Sequence, residues 1–262
     1  MLFRSVSYRE ELRKEVTNGF TQLVLHFNAL IAHVNELLVA KGSGPMLFVI
    51  DGTDKLKRED STAFFQSDVN QLLQIETHLV ICAPIAVLLE EPGTAQRFTV
   101  RERLPMIKIE ERDATPIPQA IEVLVQLIER RMPLHFFDSR ETVQYLARMS
   151  GGHPRDLLRL VRGCFPLTET TQIARAVAER AVKNMASEYQ RAIQQSDWPE
   201  LVAIDNSVGD DIDRNEARMR MLYDLVLLEY NSYWWRSHPL VRTLRGYATA
   251  KAAVAGSTLL DS

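Results

Sequence analysis

Cysteine is scarce. Only Cys82 and Cys164 occur in 262 residues, too few for a disulfide scaffold or a four-cysteine zinc site, and the expected setting is a reduced, cytoplasmic one. The six histidines (His26, His33, His78, His135, His153, His238) show no metal-ligand spacing, and no H-E-x-x-H occurs. Neither charge sign dominates: 31 Lys and Arg stand against 34 Asp and Glu, a net charge of −3. That excludes a uniformly basic coat for nucleic acid but leaves room for a local basic face. The first residues become charged at Arg4, Arg9, Glu10 and Glu11 before an apolar targeting core can form. The longest uncharged window, 16–35, carries Asn18, Gln22, His26, Asn28, His33 and Asn35, a poor composition for a membrane span. No membrane partner is therefore expected. Internal repeats and low-complexity tracts are absent.

What is present is an ordinary globular balance, 46% hydrophobic and 25% charged residues, enough for a sizeable core. Leu12, Val16, Phe20, Leu23, Phe27, Leu30, Ile31, Val34, Leu37 and Leu38 recur at helical spacing, ending at Lys41-Gly-Ser-Gly-Pro45. The stripe is wide rather than strictly heptad, so it should pack on the body of its own domain. A partner-helix role and self-association are the other reading. Met46–Ile50 and His78–Cys82 are continuous apolar runs, predicting parallel strands buried on both faces, with a short helix over 61–75 between them. Residues 99–109 resemble a third extended segment, broken at Pro105. Residues 117–132, 140–149, 155–164 and 170–195 predict a helical bundle without strands. Then follow a helix over 213–223, a hairpin formed by 225–230 and 233–237 about Asn231-Ser232, and a helix opened by Pro239. The predicted domains are a partial α/β core (1–115), a helical lid (116–197) and a winged-helix-like domain (198–262), mainly helical by residue count.

Two motifs carry chemistry. Met46-Leu-Phe-Val-Ile-Asp51-Gly-Thr-Asp54 places two carboxylates at the carboxyl end of a strand, where open α/β sheets bind ligands. The plainer reading is a strand followed by an Asp-capped turn. Ser150-Gly-Gly-His-Pro-Arg155-Asp-Leu-Leu puts glycines, a proline and an arginine at a helix N-terminus, suited to phosphate. Its plainer reading is a helix–helix connection with proline in the first turn.

Together the motifs resemble AAA+ and STAND P-loop ATPases, especially the origin-recognition-like branch. Phe48–Asp54 is similar to the Walker B strand, Leu79–Pro84 to the sensor-1 strand, and Gly151–Leu158 to the sensor-2 or GxP segment of the lid. The C-terminal hairpin is similar to the winged helix that follows. This resemblance implies a partial P-loop NTPase-type parallel sheet with ATP and Mg²⁺ as cofactors. It implies Asp51 as the Mg²⁺ ligand, with Asp54 positioning the attacking water. Gly152, Pro154, Arg155 and Cys82 would contact nucleotide, Arg155 sensing the γ-phosphate. Arg97, Arg101 and Arg103 would supply a trans-acting arginine, although three arginines in seven residues also suit a solvated edge.

The departures are as informative. No G-x-x-x-x-G-K-[ST] exists, and Gly42-Ser-Gly44 has neither its spacing nor its Lys-Ser/Thr. Gly52 stands where many members carry glutamate, and Cys82 where Asn, Ser or Thr is usual; a thiol is a weak donor. The expected function is therefore the downstream piece of a longer nucleotide-dependent switch or remodeller, inactive in hydrolysis as this chain alone. The alternative is a non-catalytic adaptor or DNA-binding module on a degenerate core. For DNA, Tyr233, Trp234 and Trp235 would offer stacking surfaces, and Arg236, Arg242 and Arg245 with His238 a basic face. Asp210, Asp211 and Asp213 oppose a strong one, and a protein partner is slightly favoured.

Overall fold

The structure is a computed structural model that describes residues 6–90, 96–207, 215–230 and 234–258. It is mainly helical, 60%, with one pair of parallel and one pair of antiparallel strands. The chain divides into two compact units, Met1–Thr99 and Val100–Ser262, so the predicted bundle and hairpin regions share one unit.

In the first unit, α1 (Val6–Ala40) runs to the glycine-rich stop. Gly42 takes φ 75°, and the Gly42 and Ser43 amides return to Val39 O (2.9 Å) and Leu38 O (2.9 Å), a left-handed helix end that glycine reaches without a Cβ clash. β1 (Leu47–Ile50) and β2 (His78–Ile81) pair in parallel, Leu47 with His78 through Ile50 with Ile81. Between them lie α2 (Arg58–Ala63), a wider π turn at Phe64–Asp68 and α3 (Val69–Leu72), so the expected helix over 61–75 is interrupted. Phe65 and Val69 are buried there, whereas Leu73 is exposed. α4 (Ile85–Glu90) follows β2.

The strands depart from expectation. Rather than being buried on both faces, their residues alternate. Phe48, Ile50, Leu79 and Ile81 are half-buried, while Leu47, Val49 and Val80 are exposed. Side chains of successive strand residues point to opposite faces, so one face is covered and the other is open. Phe27 of α1 lies 5.9 Å, ring to ring, from Phe48 on the covered face. Two asparagines fasten α1 to the backbone of this unit. Asn28 Nδ2 donates to Gln74 O (3.0 Å) and its Oδ1 accepts from Glu76 N (3.0 Å). Asn35 Oδ1 accepts from Met46 N (2.8 Å).

The second unit contains α5 (Pro118–Glu129), α6 (Arg140–Met149), α7 (Pro154–Cys164), α8 (Arg175–Gln190), α9 (Asp197–Asn206) and α10 (Glu216–Tyr223). β3 (Leu227–Tyr230) and β4 (Trp234–Ser237), antiparallel, precede α11 (Pro239–Arg242) and α12 (Arg245–Thr258). The helix starts follow local chemistry: Pro118, Pro154 and Pro239 occupy first turns, and Ser139 and Asn215 side chains accept from Thr142 N and Arg218 N. Each strand residue of the hairpin is buried; its turn, Tyr233 included, and Asp210, Asp211 and Asp213 lie outside the described residues.

Residues 99–109 do not form the expected strand. Pro105 has no N–H to donate, and beyond it Met106 N bonds Glu229 O (3.0 Å) and Ile107 N bonds Gly152 O (3.2 Å). These isolated bonds dock the segment on the second unit instead of adding it to β1 and β2.

Candidate functional site

The carboxyl ends of β1 and β2 are adjacent because the strands are parallel, and Cys82 N continues the ladder to Ile50 O at 3.1 Å. Gly52, at φ 90°, turns the chain into a short 3₁₀ segment, Thr53–Lys55, whose Thr53 hydroxyl donates to Cys82 O. Asp51 is exposed and Asp54 half-buried on this turn. Burial, then the negative charges of Asp51 and Asp54, push the Cys82 thiol up from its ordinary 9.0, and it hydrogen-bonds Asp51. Cys82 is thus a protonated donor to Asp51. The structure brings together Asp51, Asp54 and Cys82 and leaves Gly52 in open space, its nearest neighbour for a Cβ being Lys55 Nζ at 4.0 Å. Among the described residues, no group of three or more His, Cys, Asp or Glu is disposed to hold a metal ion.

The three arginines fall in two units and in different surroundings. Arg97 belongs to the first unit, where its guanidinium donates to Phe65 O (3.4 Å) and Gln66 O (2.5 Å). Arg101 is exposed in the second unit. Arg103 Nη1 lies 3.7 Å from the buried Glu229.

Within the second unit, the Gly-Gly-His-Pro-Arg segment is a packing junction. Gly151 and Gly152 are buried at φ 65° and 77°. A Cβ on Gly151 would come 2.4 Å from Leu228 Cδ1, and one on Gly152 would come 1.8 Å from Ile107 O. Tyr230 donates to Gly151 O at 2.6 Å. Gly152, expected at a phosphate, is instead covered by the Ile107 backbone. Pro154 and Arg155 are on the exposed side of the same helix start.

The anion at the α7 N-terminus is the protein's own. Asp156, fully buried, stands in the first turn, where a negative charge meets the positive end of the helix dipole. Tyr189 donates to its Oδ2 (2.6 Å) and Arg159 to its Oδ1 (2.9 Å). Two ring nitrogens approach the same Oδ2, His153 Nδ1 at 2.9 Å and His238 Nε2 at 3.3 Å, both off the ideal hydrogen-bond direction. Tyr189 and His238 stack at 4.7 Å, and Arg159 also pairs with Glu188 at 2.7 Å. Burial alone would raise the Asp156 carboxyl, but His153, His238 and Tyr189 hold it well below its ordinary 3.8. His238 is pushed down from 6.5 by burial, against the pull of Asp156. Its Nδ1 accepts from Leu240 N at 3.1 Å, which assigns its proton to Nε2, facing Asp156.

The expected DNA face is likewise turned inward at two of its three arginines. Arg236 is buried, donating to Glu111 O (3.2 Å) and Arg112 O (2.9 Å), with Nε 3.0 Å from Glu110. Arg242 Nη2 lies 2.7 Å from the same Glu110 oxygen. Trp234 is also buried, with Lys108 Nζ at 5.3 Å and Arg112 at 5.6 Å from its ring; Trp235 is buried and donates to Glu229 (3.1 Å). A guanidinium whose donors are already used inside the fold cannot grip a phosphate backbone. Arg245 alone of the three is exposed.

Sequence reasoning missed Asp156, Tyr189, Glu110 and Glu229. Asp156 carried a signal: an acid two residues after a helix-opening proline stands in the first turn, where the positive end of the helix dipole favours a negative charge. No family model, curated protein or solved structure matches the chain.

Three outcomes follow from this geometry. Gly152→Ala adds a Cβ into backbone at a positive φ, so strain and overpacking together should cost about 3 kcal/mol or more, a fall of about 10 °C in the melting temperature. A melting curve within about 2 °C of the parent would contradict the packing role. For acid stability, the unfolded chain takes up protons that folded His238 and Asp156 refuse. Stability should therefore fall as pH drops below 6.5, through His238, and again below 3.8, through Asp156. Urea midpoints measured from pH 8 to pH 3 check this, and a flat profile between pH 7 and 5 would sink the His238 assignment. Third, Arg236→Ala leaves Glu110 with Arg242 alone and takes the donor from Glu111 O and Arg112 O, so it should cost about 3 kcal/mol of stability, while the exposed Arg245→Ala should stay within about 0.5 kcal/mol; chemical denaturation of both variants decides.

Proposed function

We propose that this chain is a non-hydrolysing portion of a nucleotide-dependent switch or remodeller of the AAA+/STAND type, acting in the cytoplasm. The observation that carries the reading is the parallel pairing of β1 with β2, which sets Asp51 and Asp54 beside Cys82 at one strand edge. That edge has the acidic character needed next to a Mg²⁺-bound phosphate. The phosphate side does not fit: no glycine-rich cradle with a lysine exists in the sequence, and Gly152 is sealed by Ile107. The residues present therefore do not complete a site for ATP and Mg²⁺, and no hydrolytic step is assigned to them.

The second reading is a non-catalytic adaptor, with its C-terminal region as a winged-helix-like protein-binding module. The Asp156 junction favours it, since the segment expected to sense nucleotide is occupied by internal packing. Both readings predict that the pure chain turns over no ATP in the presence of Mg²⁺, measured by phosphate release. Turnover abolished by Asp51→Ala would overturn both. They separate on metal binding: magnesium held weakly by the wild-type chain and lost in Asp51→Ala is expected of the switch, whose acidic edge persists without a phosphate cradle, and contradicts the adaptor.

A further inference from the structure

The outer surface of α1 is unusually apolar for a helix in water. Its buried line is Val24 and Ile31, flanked by half-buried Phe20, Phe27, Val34 and Leu38. Beside that line, Leu23, Leu30 and Leu37 repeat every seven residues while remaining 63%, 57% and 51% exposed. At 100° per residue these leucines and the half-buried Phe20, Phe27 and Val34 form one continuous seam. Gln22, His26, His33 and Glu36 occupy the outward polar face, where His26 bonds back to Gln22 O (2.7 Å). Leu25 and Val39 are exposed on the opposite flank, without this repeat.

A three-and-four alternation sustained along one helix is what another helix recognises, because knobs at a 3.5-residue period seat between those of a partner. We infer that α1 pairs with α1 of a second copy of this chain, in antiparallel orientation. One register makes the seam self-complementary: Phe20 against Leu37, Leu23 against Val34, and Phe27 against Leu30 of the other copy, each layer occurring twice by symmetry. The six layers span about 26 Å of helix. Charge selects the direction. Antiparallel pairing brings Glu15, near the helix start, close to Lys41 at the end of the other copy, both being exposed. Parallel pairing would set Lys41 against Lys41.

A lipid bilayer is the competing occupant. By length and composition Gly19–Ala40 qualifies as a span, with a hydropathy of 1.5 and only 11% of the window buried, despite the polar residues expected to forbid it. The asparagine bonds decide against it: Asn28 and Asn35 are engaged with the backbone of the first unit, and crossing a bilayer would break those bonds and strand the amides in hydrocarbon. The inference is independent of any nucleotide role.

Sedimentation equilibrium of the full chain tests it. The wild type should form a dimer in the micromolar range, and Leu30→Glu should weaken it at least about tenfold by placing a charge in the central layer. Leu25→Glu, equally exposed on the other flank, should leave it unchanged. Lys41→Glu should weaken it by about two- to fivefold at low salt, and adding Glu15→Lys should restore it. The charge reversal is at the exposed ends of the seam, so it remains informative if Leu30→Glu misfolds. A monomer at all concentrations, a dimer indifferent to Leu30→Glu, or a chain that floats with neutral phosphatidylcholine vesicles instead of dimerising would each overturn the inference.

Discussion

The larger unit depends on one buried carboxylate. Asp156 draws Tyr189 from α8, His153 and Arg159 around α7, and His238 from the entrance to α11 onto two oxygen atoms. A charge without water costs several kcal/mol unless its lone pairs are engaged, so these elements are constrained to meet in one arrangement. The glycine pair next to it exists for the same reason. Only residues without a Cβ let Ile107, Leu228 and Pro239 close over the start of α7. Removing water from this junction is what makes the carboxylate so demanding, and the carboxylate in turn specifies the junction.

The first unit is organised on the opposite principle. Among the described side chains, its buried apolar ones are Val24, Ile31, Phe65, Val69, Pro84, Ala86, Val87 and Leu89, while the second unit buries a larger set from Ile109 to Tyr247. A two-stranded parallel sheet covered on one face is a small structure by the standards of parallel sheets. It is held by α1 through ring packing and asparagine bonds rather than by a deep core, which explains why so much apolar surface of α1 and of the strands remains in water.

Legibility in the sequence followed how local the cause was. The end of α1 at Gly42, the strands at Leu47–Ile50 and His78–Ile81, the bundle helices and the hairpin could all be read from short-range patterns. Burial of the strands could not, because a continuous apolar run does not say how many layers will cover it. The segment around Ile107 was misread because its extended backbone reflects docking partners at Gly152 and Glu229, far away in sequence. The candidate site divided the same way. Asp51, Asp54 and Cys82 assemble as strand pairing predicts, whereas Gly152, Arg236 and Arg242 looked like ligand contacts because glycine and arginine serve phosphates and internal packing alike. What distinguishes the two uses is the partner, here Ile107 and Glu110, and no local pattern encodes it.

The placement of the indole rings has a spectroscopic consequence. The chain has three tryptophans, Trp198, Trp234 and Trp235, all buried in the second unit. Intrinsic fluorescence excited at the indole band therefore watches one unit only, and the opening of the first is silent in that channel. The first unit, rich in α1, contributes instead to the helical circular dichroism signal. Fluorescence thus follows the second unit alone while circular dichroism follows the helices of both, so the two transitions coincide only if the units unfold together.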